Sequence, residues 1–346
     1  MKIERKKESA LVILDRKYNN GLINALFFGK DLTGHFFALN YFMEEKRENW
    51  FELANSYKFQ QYTNGIFNRF LIYDKRFVRE MTELSSRFER VYIFANNAIF
   101  QGPVWYGAEL RKIKKRCPNV YFVFFYIDII NSKHSRKANL LLKKNPDLFD
   151  LVYTSDMSDA LTYGLLYHPL PYAYSSSECA SNFLNHEKKG LSFCANIKER
   201  STLILEVLKG CIKNDISTSM ALFSNDGSEK QMFLKYDNYV SLLNHFIDYD
   251  ESLCYTLNAN CILDIVQNGQ TALSMRPYEA VVFNKKLLTN NSSILDFEFY
   301  NENYIQLFSK PENIDWEWVK KDIPVDYGYK GEFSPVYLWN DIEKRL

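Results

Sequence analysis

Residues 261–291 read CILDIVQNGQTALSMRPYEAVVFNKKLLTNN, and this stretch decides the fold. Cys261–Val266 is almost wholly apolar and β-prone, the pattern of a strand buried on both faces, and the pair Asn268-Gly269 stops it. Ser274 then supplies an N-cap, Pro277 falls in the first helical turn, where a missing N–H costs little, and Ala280, Val281 and Phe283 give the helix an apolar face. Asn284 ends the helix and Lys286–Thr289 is a second short strand. The segment is therefore a βαβ unit whose strand-to-helix junction, Asn268 to Glu279, carries nearly all its polar residues. In open α/β sheets that junction lies at the carboxyl ends of the strands, where ligands bind, and helix N-termini favour phosphates.

Within the junction Arg276 and Glu279 stand three residues apart and share a helical face. A cation beside a helix N-terminus suits a diphosphate, and a carboxylate one turn on suits ribose hydroxyls. The alternative is a surface ion pair worth about 0.3–0.5 kcal/mol.

The run LDIVQNGQTALSMRPYEAVVFNKKLLTNN resembles the donor-site segment of bacterial GT-B-type glycosyltransferases of the lipopolysaccharide and capsule (group 1-like) kind. Its pattern is leucine-aspartate, then glutamine-x-x-leucine-x-x-arginine-x-x-glutamate, matched by Gln270, Leu273, Arg276 and Glu279, then a strand ending in threonine-asparagine-asparagine. Three further stretches resemble the family in order: FVFFYIDIINS at 122–132, DLVYTSDMSDALTYGLLYHPLPY at 150–172, and LSFCANIKERSTLIL at 191–205. The tail FSPVYLWNDIEKRL resembles its terminal helix. Glu279 takes the place of the glutamate that holds the nucleotide ribose in related enzymes. Where many retaining members carry a second glutamate this chain has Thr271, so neither the retaining outcome nor the sugar follows.

The remainder of the chain reads as alternating strands and helices. In the first half the expected strands are Ile23–Phe28, Val91–Phe94, Val120–Ile127 and Phe149–Tyr153. The expected helices are His35–Lys46, a long segment within Trp50–Phe88, Tyr106–Lys115 and Ser155–Tyr167. Leu191–Cys194, Glu199–Lys213 and Ile216–Leu222 repeat the logic beyond the polar run Ser175–Lys189, and Trp316–Lys320 and Ser334–Leu346 close the chain as helices. The implied fold class is α/β, two Rossmann-like doubly wound domains facing a cleft: an acceptor domain over 1–174, a linker over 175–189, and a donor domain over 190–346.

Composition bounds the function. With 43 Lys+Arg against 42 Asp+Glu the whole chain gives no case for a nucleic-acid partner. The six cysteines show no paired spacing and read as reduced thiols of a cytoplasmic protein. No secretory signal is expected and no apolar run reaches spanning length, which leaves peripheral contact with the inner face of the cytoplasmic membrane compatible with the sequence. The expected partners are a nucleotide sugar and a glycan or lipid-linked oligosaccharide acceptor.

Asp128 interrupts the most apolar strand of the first half at its carboxyl end, where a carboxylate suits general-base work; its alternative role is a helix cap or structural hydrogen bond. His35, at the start of the first helix, is the other candidate base. Lys198 and Arg200 join Arg276 as phosphate ligands, with Gln270, Thr271 and Glu279 completing the donor site. Asp248-Tyr-Asp250 reads as a solvated loop, so no metal and no cofactor is expected. The alternative function is a non-catalytic GT-B-fold nucleotide- or glycan-binding or assembly protein, a reading that Thr271 favours. An epimerase is disfavoured for want of a Gly-rich fingerprint and a Tyr-x-x-x-Lys pair.

Overall fold

A computed structural model describes residues 6–14, 75–97, 106–133, 135–172, 189–224, 227–245, 247, 249–266, 272–333 and 335–346. The chain divides into two compact units, Met1–Ala173 together with Phe333–Leu346, and Tyr174–Glu332.

The first unit contains β1 (Lys6–Leu14), α1 (Lys75–Arg87), β2 (Phe88–Asn96), α2 (Tyr106–Arg116), β3 (Val120–Tyr126), α3 (Arg136–Lys144), β4 (Leu151–Thr154), α4 (Met157–Tyr163) and β5 (Leu166–Tyr167). The five strands are all parallel and lie in chain order. Right-handed crossovers in that order put the intervening helices on one face of the sheet and leave the other to be covered from elsewhere. The final helix, at Pro335–Arg345, covers it. Buried Trp339 lies 5.8 Å from the ring of Tyr92 and 5.9 Å from that of Phe94, and Asp341 accepts a 2.8 Å hydrogen bond from the Tyr153 hydroxyl. The terminal helix, expected in the donor domain, therefore belongs to the first unit, because its apolar stripe Leu338, Trp339, Ile342 is buried there.

Other differences have local causes. The helix expected over Ser155–Tyr167 runs only over α4. Asp156 caps it by accepting from Asp159 N, Gly164 ends it at φ 65°, and β5 follows. Strand β1, for which the sequence reading offers no element, pairs with β2 from Lys6 to Leu14. The strand at Ile23–Phe28 and the helix at His35–Lys46 lie outside the described residues, as does nearly all of the 175–189 linker.

The second unit contains β6 (Lys189–Asn196), a 3-10 turn Lys198–Arg200, α5 (Ser201–Lys213), β7 (Thr218–Phe223), α6 (Gly227–Gln231), β8 (Val240–Leu243), α7 (Tyr249–Leu257), β9 (Ala259–Asp264), α8 (Met275–Val282), β10 (Lys286–Thr289), β11 (Ile305–Leu307) and α9 (Trp316–Lys320). The terminal helix of the first unit is α10. Six parallel strands lie in the order β11-β10-β9-β6-β7-β8. The chain starts in the middle at β6, moves outward through β7 and β8, then returns to the other side of β6 and continues through β9 to β11. This is the doubly wound order, and its reversal falls between β6 and β9. The core gathers Phe193, Leu222, Leu263 and Leu288 from the sheet with Ile204, Val207, Leu208 and Cys211 from α5. The solvated loop expected at Asp248–Asp250 is corrected in part: Tyr249 and Asp250 open α7, while Asp248 lies outside the described residues.

Candidate functional site

The switch point of the second sheet is built by a short polar network. Asp264, the last residue of β9, is fully buried and accepts from Ser274 Oγ and Thr289 Oγ1, each at 2.8 Å. One carboxylate thus ties the end of its own strand to the N-cap of α8 and to the end of β10. Ser274 Oγ also accepts from Arg276 N at 3.2 Å, which is the cap itself. Asn290 Oδ1 accepts from Val266 N at 2.8 Å and Asn291 Nδ2 donates to Ala272 O at 3.2 Å. The paired asparagines therefore hold both sides of the segment that contains Gln270 and Thr271, which themselves lie outside the described residues.

Two guanidinium groups cross the reversal. Arg200 donates to the carbonyls of Asn196, ending β6, and Ile265, just beyond β9. Arg276 donates to the Cys194 carbonyl of β6. Both lie against Phe193, with guanidinium carbons 5.7 Å and 5.0 Å from its ring centroid. Burial and, after it, the charge of Arg276 push the Arg200 guanidinium down to about 10. Among the described residues neither arginine is ion-paired with a carboxylate, and Arg200 Nε is buried without an acceptor. Lys198 stands on the same β6-to-α5 connection, exposed and at φ 46°, a left-handed conformation that costs a lysine about 1 kcal/mol or more. Two guanidinium groups thus meet at one end of the sheet, with Lys198 on the connection that carries Arg200, and the buried Asp264 carboxylate there is already occupied by two hydroxyls. That arrangement attracts an anion with more than one charge.

Glu279 is buried on α8 and accepts from Thr256 Oγ1 of α7 at 3.3 Å. The pair Arg276 and Glu279 thus projects toward different neighbours, β6 and α7 respectively.

In the first unit Asp128 lies two residues beyond β3, half-buried, at the carboxyl end of the sheet. Asn97, fully buried, donates from Nδ2 to Asp128 Oδ2 at 2.9 Å while its Oδ1 accepts from Ile127 N at 2.8 Å. Both partners of the amide flank one peptide, so the carboxylate is held in one orientation. His35 lies outside the described residues.

Sequence reasoning passed over Asn97, Phe193 and Asp264 as site residues. Asp264 carried the same signal as Asp128, a lone carboxylate ending an apolar strand, and the structure shows it spent on internal hydroxyls. Asn97 had no signal of its own, because its partner is 31 residues away.

No protein-family model and no curated protein matches the chain. Among solved structures, a glycosyltransferase from Rickettsia africae is 11% identical, with 98% of each chain covered and a TM-score of 0.51. A putative UDP-N-acetylglucosamine 2-epimerase from Listeria monocytogenes is 9% identical over 98% of this chain and 96% of its own, at 0.49. AviGT4, a glycosyltransferase involved in avilamycin A biosynthesis, is 9% identical over 78% and 76%, at 0.47. At such identities the likeness is one of fold, and it agrees with the two parallel sheets: this chain is an α/β protein of two Rossmann-like units, the GT-B class to which its sequence pointed.

Proposed function

We propose that the protein is a nucleotide-sugar-dependent glycosyltransferase acting on a cell-surface glycan intermediate of the lipopolysaccharide or capsule kind. The observation that carries this reading is the pair of arginines laid across the β6/β9 switch point with no carboxylate paired to either among the described residues. A nucleoside diphosphate sugar presents two linked phosphates, and Arg200, Arg276 and Lys198 offer the charge to hold them without a metal ion. Gln270 and Thr271, which precede α8 in the sequence, and Glu279 would contact the rest of the donor.

In the reaction an acceptor hydroxyl oxygen bonds to the anomeric carbon, the bond from that carbon to the β-phosphate oxygen breaks, and the nucleoside diphosphate leaves with the bonding pair. The hydroxyl proton passes to a base. Asp128, held by Asn97, fills that role, with His35 the next candidate.

The test is a thermal-shift panel of UDP, GDP, CDP and CMP and their sugars, followed by turnover of whichever binds, with EDTA present. A ligand at 100 times its Kd stabilises by about 2.7 kcal/mol. Binding with release of free nucleotide supports the enzyme. Binding without any turnover, even hydrolytic, would leave the frame as a binding protein, and absence of binding to all four would remove the donor site.

A further inference from the structure

Asp128 differs from the other carboxylates held in the first unit. Asp150 accepts from Phe122 N at 2.8 Å and from Lys114 Nζ at 2.9 Å. Asp156 accepts from Asp159 N, Asp159 from Ile130 N at 2.7 Å, and Asp341 from the Tyr153 hydroxyl and Arg345 Nε, each at 2.8 Å. Each of these holds a backbone group, a hydroxyl or a cation, as a structural carboxylate does. Asp128 holds none of them. Among the described residues its one partner is the Asn97 amide, which reaches Oδ2, and Oδ1 has none.

The amide that reaches it cannot turn over. Asn97 is fully buried, and its Oδ1 accepts from Ile127 N at 2.8 Å, which a flipped side chain would meet with a second donor. Its Nδ2 is also 3.3 Å from Ser135 Oγ. That hydroxyl gives its proton to Ile129 O at 2.9 Å, so toward Asn97 it accepts. Two neighbours thus fix the same orientation of Asn97 independently of Asp128, and toward the carboxylate the side chain can only donate. A neutral donor orients Asp128 and leaves its negative charge uncancelled, where a Lys or Arg at that place would neutralise it.

We propose that Asn97 is a positioning residue for glycosyl transfer: it anchors Asp128 by Oδ2 and so keeps Oδ1 for the acceptor hydroxyl. In the step, the hydroxyl proton passes to Oδ1, the hydroxyl oxygen bonds to the anomeric carbon, and the nucleoside diphosphate departs with the bonding pair. Both amide protons stay on Asn97. The inference deepens the proposed function and rests on its assignment of Asp128 as the base.

The test is steady-state kinetics of the full chain, read as release of free nucleotide from whichever of the UDP-, GDP-, CDP- and CMP-sugars binds. Asn97→Ala should lower kcat by about 10–100-fold with KM for the nucleotide sugar unchanged, because a displaced base costs rate and not donor binding. In an Asp128→Asn background the same change should cost no further turnover, since Asn97 acts through that carboxylate. Asn97→Asp guards against a truncation that fails to fold. It keeps the shape and an acceptor for Ile127 N, and burial beside Asp128, the one charged group paired with this side chain among the described residues, favours its protonated form. The new carboxyl then donates O–H to Asp128 in place of the amide. Turnover by Asn97→Asp should approach the wild-type rate at about pH 6 and fall toward about pH 9 as that carboxyl ionises, a fall absent from wild type. Wild-type kcat in both Asn97 variants across that range, with Asp128→Asn impaired, overturns the role of Asn97 and leaves the base in place. An Asn97→Ala loss that is just as large in the Asp128→Asn background, or that falls on kcat and donor KM alike with a lowered melting temperature, marks a structural amide and overturns it too. Full turnover by Asp128→Asn, or none by wild type, removes the base reading and this inference with it.

Discussion

Arg276 is half-buried and spends one N–H on a strand carbonyl, which leaves most of its donors and its whole charge for a ligand. Arg276→Ala should weaken nucleotide binding by roughly 1.5–3 kcal/mol, the range for a lost charge-assisted hydrogen bond, with little change in melting temperature. Isothermal titration with the nucleotide found in the thermal-shift panel reads this, and an unchanged Kd would take Arg276 out of the site. Asp128→Asn preserves the shape that Asn97 recognises but removes the basicity, so turnover should fall by about 10²–10⁴-fold with donor affinity unaltered. Fully retained turnover would pass the role to His35. A third residue sets a pH limit on the first unit. His168 is buried, its Nδ1 is 2.6 Å from Pro169 O, and its ring lies edge-on to those of Phe125 and Tyr153. Burial outweighs the Pro169 hydrogen bond and the charge of Asp341 and pushes the imidazole below its ordinary value of 6.5. Below that pH the unfolded chain binds the proton that the folded one refuses, so stability is full above about 6.5 and falls as the pH drops. His168→Gln should flatten the fall in melting temperature between about pH 6.5 and 5; an unaltered slope would show another group responsible.

At the scale of elements, the βαβ unit around Ser274 was legible in kind and order, with its first strand, read as Cys261–Val266, lying two residues earlier at Ala259–Asp264 and its later boundaries set by local causes. Ser274 caps α8, and Lys286–Thr289 is the strand that follows. Helix α4 was over-extended because Gly164 sits inside an apolar pattern that continues to Tyr167; the left-handed turn at Gly164 overrides the pattern. Lys286 shows what no local pattern reveals. It is buried, and its ammonium donates to Val319 O at 2.9 Å and to Trp318 O and Lys321 O at 2.5 Å, capping α9 from a strand 32 to 35 residues away. The seating of α9 also depends on Gly210 in α5, where a β-carbon would overlap the six-membered ring of Trp316. Alanine normally stabilises a helix interior by about 1 kcal/mol over glycine. Here Gly210→Ala should instead lower stability by about 1–3 kcal/mol, as for overpacking, measured by urea denaturation; a gain would show that Trp316 swings aside freely.

At the scale of the molecule, alternation of strands and helices implied two parallel sheets, but not the order of strands within them, since pairings such as β6 with β9 join residues some seventy positions apart. Nor could it say which sheet α10 covers. The pattern Leu338, Trp339, Ile342 declares an amphipathic helix and is silent about its partner; the partner is decided by the first sheet, whose chain-order topology leaves one face bare until Trp339 meets Tyr92 and Phe94. The consequence is that the end of the chain stabilises the unit in which the chain begins. Trp339→Ala should cost about 3–5 kcal/mol, and that loss should fall on the first unit, while the second unit, which holds Arg200 and Arg276, keeps its own core intact. Calorimetry should then resolve an early transition that nucleotide does not move and a later one that nucleotide still raises, because a ligand stabilises only the unit that binds it. A single transition shifted down as a whole, with nucleotide protection lost in proportion, would mean that the two units fold as one cooperative body and that α10 supports both.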